Sequence, residues 1–256
     1  MYIDTHAHLD DKAFAQDLKQ VMQKIDAAGI DRVINCACDA ASMKSSLKLS
    51  KDYAKIYAAL GYHPHNVKGL DYDAVDLLYD RVDGQEKCVA IGEIGLDYHY
   101  NFAPHDEQQE WFVEQIELAK ELALPIIVHS REATEDTLRI LAESDAGYVG
   151  GVIHAFSGAP ELAREYMDMG FYIGIGGFST FQDAKKLQRT IAEIPPERML
   201  LETDCPYLTP APHRGERNDS SYIPLIAEHI AKVRGITAEE VARITTANAM
   251  KLFWEA

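Results

Sequence analysis

Eight short apolar runs recur from one end of this chain to the other, separated by amphipathic stretches. They are Tyr2–Ile3, Arg32–Cys36, Ile56–Leu60, Cys88–Ile91, Pro125–Val128, Gly151–Ile153, Phe171–Ile175 and Met199–Leu201. Their apolar character is continuous, not alternating, which suits parallel strands covered on both faces. Strict alternation of strand and helix predicts a parallel sheet with helical crossovers, an α/β protein. Eight units favour a closed (β/α)8 TIM barrel over an open doubly wound sheet, although strand order, which separates the two, cannot be read from spacing. A chain of 256 residues fits a single barrel domain over residues 1–256, because such barrels occupy roughly 200–250 residues.

The stretches between the runs carry helical signals. Phe14, Leu18, Val21 and Ile25 follow an i, i+4, i+7, i+11 pattern that Gly29 closes. Phe112, Ile116, Ala119 and Leu122 repeat it in a helix that Pro104 would start. Pro160 and Gly170 bracket another in the Pro-first, Gly-last sense. Thr237 with Glu240 reads as a capping box. A loop-rich segment, 209–221, holds Pro210, Pro212, Gly215 and Asn218; it follows the last strand and is expected to lie over the barrel mouth.

Composition narrows the function. Hydrophobic residues at 47% and charged residues at 26% describe a globular chain and exclude intrinsic disorder. A formal net charge of -16 repels nucleic acid at long range and argues against a passive coat protein. It leaves a nuclease open, since bound divalent cations invert the potential inside a pocket. The four cysteines, Cys36, Cys38, Cys88 and Cys205, form no Cys-x-x-Cys pair. The first ten residues do not read as a signal peptide, and the apolar stretch 122–128 is too short to span a bilayer. The expectation is a cytoplasmic protein with reduced thiols and no membrane association, for which a monomer suffices.

Chemistry is concentrated at strand ends. His6 and His8 follow the first run, two apart, so in an extended chain they point to one side and can share an ion. Glu93 follows the fourth run, His129 the fifth, His154 the sixth, and Glu202 with Asp204 the eighth. In a barrel these ends converge on one mouth. A lone histidine there is more often a hydrogen-bonding residue than a ligand. Several histidines and acids together are poorly explained that way, because buried charges are costly unless paired or metal-bound. The donor mixture suits Zn²⁺ or Mn²⁺, with Mg²⁺ at a carboxylate-rich position, and two or more divalent ions are expected.

Other residues carry two readings each. Arg131 could grip a phosphate or form a surface salt bridge. His63, ahead of His65, could contact phosphate or the leaving group, or cap a turn. Tyr98, Tyr100 and Phe102 could stack unpaired bases or simply pack. Gly174, Gly176 and Gly177 could admit a phosphate to the backbone or make a tight turn. Cys205 reads as a packed thiol. No Gly-x-Ser-x-Gly, Walker A or His-Glu-x-x-His motif is present.

The His-x-His opening resembles the start of the TatD-type deoxyribonucleases, members of the amidohydrolase-like TIM-barrel metalloenzymes. So do Gly92-Glu93-Ile94-Gly95-Leu96-Asp97, Val128-His129-Ser130-Arg131, His154-Ala155-Phe156-Ser157-Gly158 and Glu202-Thr203-Asp204-Cys205-Pro206-Tyr207-Leu208. Gly61-Tyr62-His63-Pro64-His65, Pro212-His213-Arg214-Gly215 and Thr246-Ala247-Asn248 match further segments in the family's order. The resemblance spans essentially the whole chain. It implies that His6 and His8 hold one cation with Asp204, that Glu93 bridges two, that His129 and His154 complete the second site, and that Glu202 helps hold a third. It implies a 3′–5′ exonuclease or related DNA phosphodiesterase acting on single-stranded DNA. Asp204 would orient a water and accept its proton, with Glu93 also catalytic. Three alternatives stay open: a metal-dependent hydrolase of a small amide, lactone or ester, a D-aminoacyl-tRNA deacylase, and a non-catalytic metal-binding scaffold.

Overall fold

In the computed structural model, which describes residues 1–100 and 102–255, every one of the eight apolar runs lies in or overlaps a strand. The strands are β1 (Tyr2–Ala7), β2 (Ile30–Cys36), β3 (Ile56–Leu60), β4 (Cys88–Asp97), β5 (Ile126–Arg131), β6 (Gly151–Ile153), β7 (Tyr172–Ile175) and β8 (Met199–Leu201). They form one sheet in the order β1 to β8. A parallel bridge between Ala7 and Cys205 brings the chain leaving β8 back beside β1. The fold is therefore the (β/α)8 barrel, and the sequential order rules out the doubly wound alternative, whose order reverses at a switch point.

The described helices are α1 (Leu18–Ala27), α2 (Ala40–Asp52), α3 (Asp73–Val82), α4 (His105–Glu121), α5 (Thr134–Glu143), α6 (Pro160–Asp168), α7 (Lys185–Glu193), α8 (Ile223–Arg234) and α9 (Ala238–Phe253). The capping box at Thr237 and Glu240 is formed in both directions. Gly170 adopts a left-handed φ of 99° after α6, as its place past a helix end predicts. Two expectations need correction. Phe14 lies in a separate 3-10 turn, Lys12–Phe14, and α1 starts only at Leu18. Asp17, between them, has φ -142° and holds Arg217 through two hydrogen bonds of 2.8 and 2.6 Å. That commitment breaks the helix while leaving Phe14 buried. Leu122 likewise caps α4 from outside it.

Packing divides the chain into two compact units. One comprises Met1–Asn35, Ala155–Asp168 and the chain from Tyr172 onward; the other comprises Cys36–His154 with Met169–Phe171. In the first, Ile25, Ile30, Ile34, Ile173, Ile175 and Leu200 are fully buried, and α9 packs on β1 and β8. In the second, Ile56, Leu60, Phe112, Ile116, Ile127 and Val128 are fully buried, and α4 packs on β4. Burying each such side chain contributes about 1.5–3 kcal/mol. All ten residues of β4 are buried, which extends that strand well past the run Cys88–Ile91 and carries Glu93 and Asp97 inside it. No helix among the described residues is long and apolar enough to cross a membrane.

Candidate functional site

The first unit gathers His6, His8 and Asp204. His6 is fully buried, and its Nε2 lies 3.1 Å from Nε2 of His8. Oδ1 of Asp204 stands 3.8 Å from the His6 Nε2 and 3.5 Å from the His8 Nε2. Ligands roughly 2.0–2.2 Å from one cation, at tetrahedral or octahedral angles, are about 2.8–3.6 Å apart. The imidazole pair already has that separation, and the carboxylate needs only a small approach. The residues present fit a divalent ion.

The backbone around this trio is built to hold it. Asp204 has φ 57°, a left-handed conformation that Asp tolerates better than most residues and that clusters at functional sites. Its N–H donates to the His6 carbonyl at 2.9 Å. Behind it, the buried carboxylate of Asp4 accepts from the Thr203 N–H (3.0 Å), the Thr203 hydroxyl (2.6 Å) and the His6 N–H (3.2 Å). Asp4 thus ties the end of β1 to the turn that presents Asp204. Burial pushes its pKa up to about 7, against the pull of those hydrogen bonds. The loop-rich segment braces the same turn: the Asn218 amide donates to the carbonyls of Thr203 (2.9 Å) and Tyr207 (2.6 Å). Cys205 is buried and its pKa is pushed up to about 12, as befits a packed thiol.

Glu202 supports the turn after β6. Its Oε1 accepts the Ala155 N–H at 2.6 Å, where Ala155 has a left-handed φ of 46°. Among the described residues it joins none of the metal-capable groups. A Cβ on Gly174 would sit 2.3 Å from its Oε2, and one on Gly177 would sit 2.0 Å from the Leu208 carbonyl. Those two glycines make room for Glu202 and for the backbone after β8, which replaces the phosphate reading of that cluster.

The second unit gathers Glu93, His63, His129 and His154. Oε1 of the buried Glu93 lies 2.9 Å from Nδ1 of His129, 3.5 Å from Nε2 of His63 and 3.8 Å from Nε2 of His154. The other nitrogen of His129, Nε2, is 3.0 Å from Oδ2 of Asp97, which also receives His65 Nε2 at 2.9 Å. A carboxylate holding one imidazole N–H leaves the opposite nitrogen free to ligate. With a cation bound, Asp97 would keep the His129 proton on Nε2 and leave Nδ1 to ligate beside Glu93. Gly95 makes this register attainable: its φ is 132°, and a Cβ there would fall 2.1 Å from the His129 carbonyl.

His63 is wired the opposite way. Its Nδ1 accepts the His65 N–H at 3.1 Å, so its proton sits on Nε2, aimed at Glu93. Burial drives its pKa down to about 4 despite the nearby Glu93; at neutral pH it is an uncharged N–H donor. For His129 burial works against the charged form, but hydrogen bonds to Asp97 and Glu93 raise the pKa overall. Burial likewise opposes ionisation of Asp97, yet hydrogen bonds from His129, the Tyr100 N–H and His65 hold its carboxyl well below the usual range.

That depression has a checkable consequence in cation-free protein. An Asp with a lowered folded pKa contributes stability that is complete above the unfolded value, about 3.9, and lost as pH falls through the folded value. The lead of wild type over Asp97→Asn in urea unfolding should be about 1–3 kcal/mol near pH 5, where His129 is charged in both states, and smaller below about pH 4. A lead that kept growing below about pH 4 would refute this assignment.

The remaining expectations resolve as follows. Arg131 is exposed, with its guanidinium 4.9 Å from the Tyr100 ring centre. Among the described residues it pairs with no carboxylate, so the salt-bridge reading is not seen. Tyr98 is a packing residue, stacked on His105 at 3.7 Å and donating its hydroxyl to Asp136 at 2.8 Å. The sequence reading places His65 behind His63 and does not single out Asp4 or Asp97 as site residues. Parity carried a signal for both: Asp4 lies two before His6, and Asp97 four after Glu93, each on the same strand face as its neighbour.

Comparison with known proteins agrees with this chemistry. A family model described as TatD related DNase matches residues 3–254. The chain is similar to YabD of Bacillus subtilis, described as an uncharacterized metal-dependent hydrolase. The two are 46% identical over 254 residues, covering 99% of each. It is 37% identical over 254 residues to YcfH of Escherichia coli K12, described in the same words, covering 98% of this chain and 95% of that protein. The crystal structure of YjjV, a TatD homologue from Escherichia coli K12, superposes with a TM-score of 0.93 at 32% identity, covering 98% of this chain and 97% of that one.

Proposed function

We propose that this chain, which belongs to the TatD-related DNase family of metal-dependent hydrolases, cleaves phosphodiester bonds of single-stranded DNA as a 3′–5′ exonuclease. The observation that carries the reading is the His6, His8 and Asp204 trio, whose donor atoms already stand 3.1 to 3.8 Å apart. In this proposal His6 and His8 would hold one divalent cation with Asp204, and Glu93, His129 and His154 would hold a second. Zn²⁺ or Mn²⁺ suits the imidazole-rich donors, and Mg²⁺ is the third candidate. Bound cations supply Lewis acidity and lower the pKa of a water toward neutrality.

The chain's own residues do the rest. Asp204, with its side chain partly exposed, orients the attacking water and accepts its proton. His63 offers its Nε2–H to a phosphoryl oxygen as negative charge develops there, a donor already fixed in direction by the His65 backbone. Asp97 keeps His129 in the ligating tautomer. Glu202 positions the turn after His154 through the Ala155 N–H and would help hold a third ion.

The test uses chelator-treated protein and end-labelled single-stranded DNA, with and without Mn²⁺ or Mg²⁺. Stepwise shortening from the 3′ end only when metal is restored supports the proposal. Inert DNA alongside metal-dependent turnover of a lactone, a small amide or D-aminoacyl-tRNA would transfer the site to that substrate.

A further inference from the structure

We propose that Tyr100 and Phe102, with Arg131 beside them, form a cradle for an unpaired nucleobase next to the metal-ligating residues; the inference rests on the nuclease reading and deepens it. The two rings are stacked, 5.4 Å between centres and 20° apart. Both face water: Tyr100 is 41% exposed and Phe102 56%. Rings that served only packing would be covered. The neighbouring stack of Tyr98 on His105, at the start of α4, differs: Tyr98 is half-buried and donates its hydroxyl to Asp136.

The exposed pair is also held rigidly. His65 meets Tyr100 edge-on at 5.5 Å and Phe102 at 4.9 Å. The N–H groups of His99 and Tyr100 both donate to Oδ1 of Asp97 at 3.0 Å. Through its other oxygen Asp97 binds His65 and His129. The platform is thus joined to a proposed cation ligand, His129, through Asp97 by two hydrogen bonds. An aromatic surface fixed in advance loses little entropy on binding a flat partner.

The chemistry selects the occupant. An exposed ring face takes any base, because every base has a π-face. Arg131, with no carboxylate partner among the described residues, supplies a fork of donors suited to a phosphate oxygen. A flat apolar surface beside a phosphate-binding cation is the signature of a nucleotide. A duplex cannot use it, since its base faces are already stacked on their neighbours. In this arrangement the base extends the Tyr100–Phe102 stack from the open face of Phe102. Sequence tolerance follows, together with a requirement for unpaired ends.

The experiment titrates Mn²⁺-loaded protein into a single-stranded trinucleotide with phosphorothioate linkages that resist cleavage. 2-Aminopurine is placed at each position in turn, and an otherwise identical trinucleotide carries an abasic residue there. For wild type, stacking should quench the fluorescence at one position, and the abasic ligand should bind about tenfold or more weakly. Phe102→Ala should abolish the quench and erase the difference between the two ligands, while Phe102→Trp should restore both. Circular dichroism and thermal unfolding establish that each variant is folded. Equal binding of intact and abasic ligands by wild type, or an undiminished quench in Phe102→Ala, would overturn the cradle. If wild type in that case still shortens DNA with metal, the nuclease reading survives alone. If it neither binds the trinucleotides nor cleaves DNA, both fall.

Discussion

Asp204→Asn should lower metal-dependent turnover by about 10²- to 10⁴-fold, the range that removal of a positioned general base produces. The substitution is chosen to spare everything else. Asn occupies the left-handed region as readily as Asp, so the φ of 57° is kept. The backbone bond from residue 204 to the His6 carbonyl does not involve the side chain. The amide can still approach a cation through its oxygen, but it has no basic oxygen to receive a proton from water. With the cation supplied at saturating concentration, the unfolding midpoint should stay near wild type while kcat collapses. A kcat within tenfold of wild type would remove Asp204 from the proton-transfer role.

Replacing His6 and His8 together with Ala should cost about one bound cation per chain. The proposed ion beside β1 takes two of its ligands from these imidazoles, whose Nε2 atoms stand 3.1 Å apart. One carboxylate remaining from the trio cannot retain a transition metal through dialysis against a weak chelator. Activity should fall at least as far as in Asp204→Asn. His6 is fully buried, so the double variant also opens a small cavity at a cost of about 1–3 kcal/mol. His8→Ala alone, at a half-buried position, separates the two effects: it should weaken metal retention with little loss of stability. Metal analysis of the dialysed proteins reads this directly, and wild-type cation content in the double variant would contradict the ligand assignment.

Much of the scaffold was legible because it is written in local pattern. Continuous apolar runs mark strands buried on both faces wherever they fall, and each of the eight was found. Closure was not legible, because it depends on Ala7 meeting Cys205, a pairing between the two ends of the chain. The helix through Phe14 was misread for a related reason. Its spacing is helical, but Asp17 is engaged by Arg217, two hundred positions away. Candidate ligands were visible because strand ends are chemically conspicuous. Their supports were less visible: Asp97 serves His129 across β4 and β5, and only the pairing register, with Gly95 beside His129, discloses it. The glycines after β7 had the same difficulty. Gly174 is small on account of Glu202, a neighbour no spacing rule connects to it.

Diffraction from crystals grown with Mn²⁺, recorded at the manganese absorption edge, tests the central claim most directly. Two anomalous peaks should appear, one ligated by His6, His8 and Asp204 and the other by Glu93, Nδ1 of His129 and Nε2 of His154. A map with no peak within bonding distance of His6, His8 or Asp204, at saturating manganese, would contradict it.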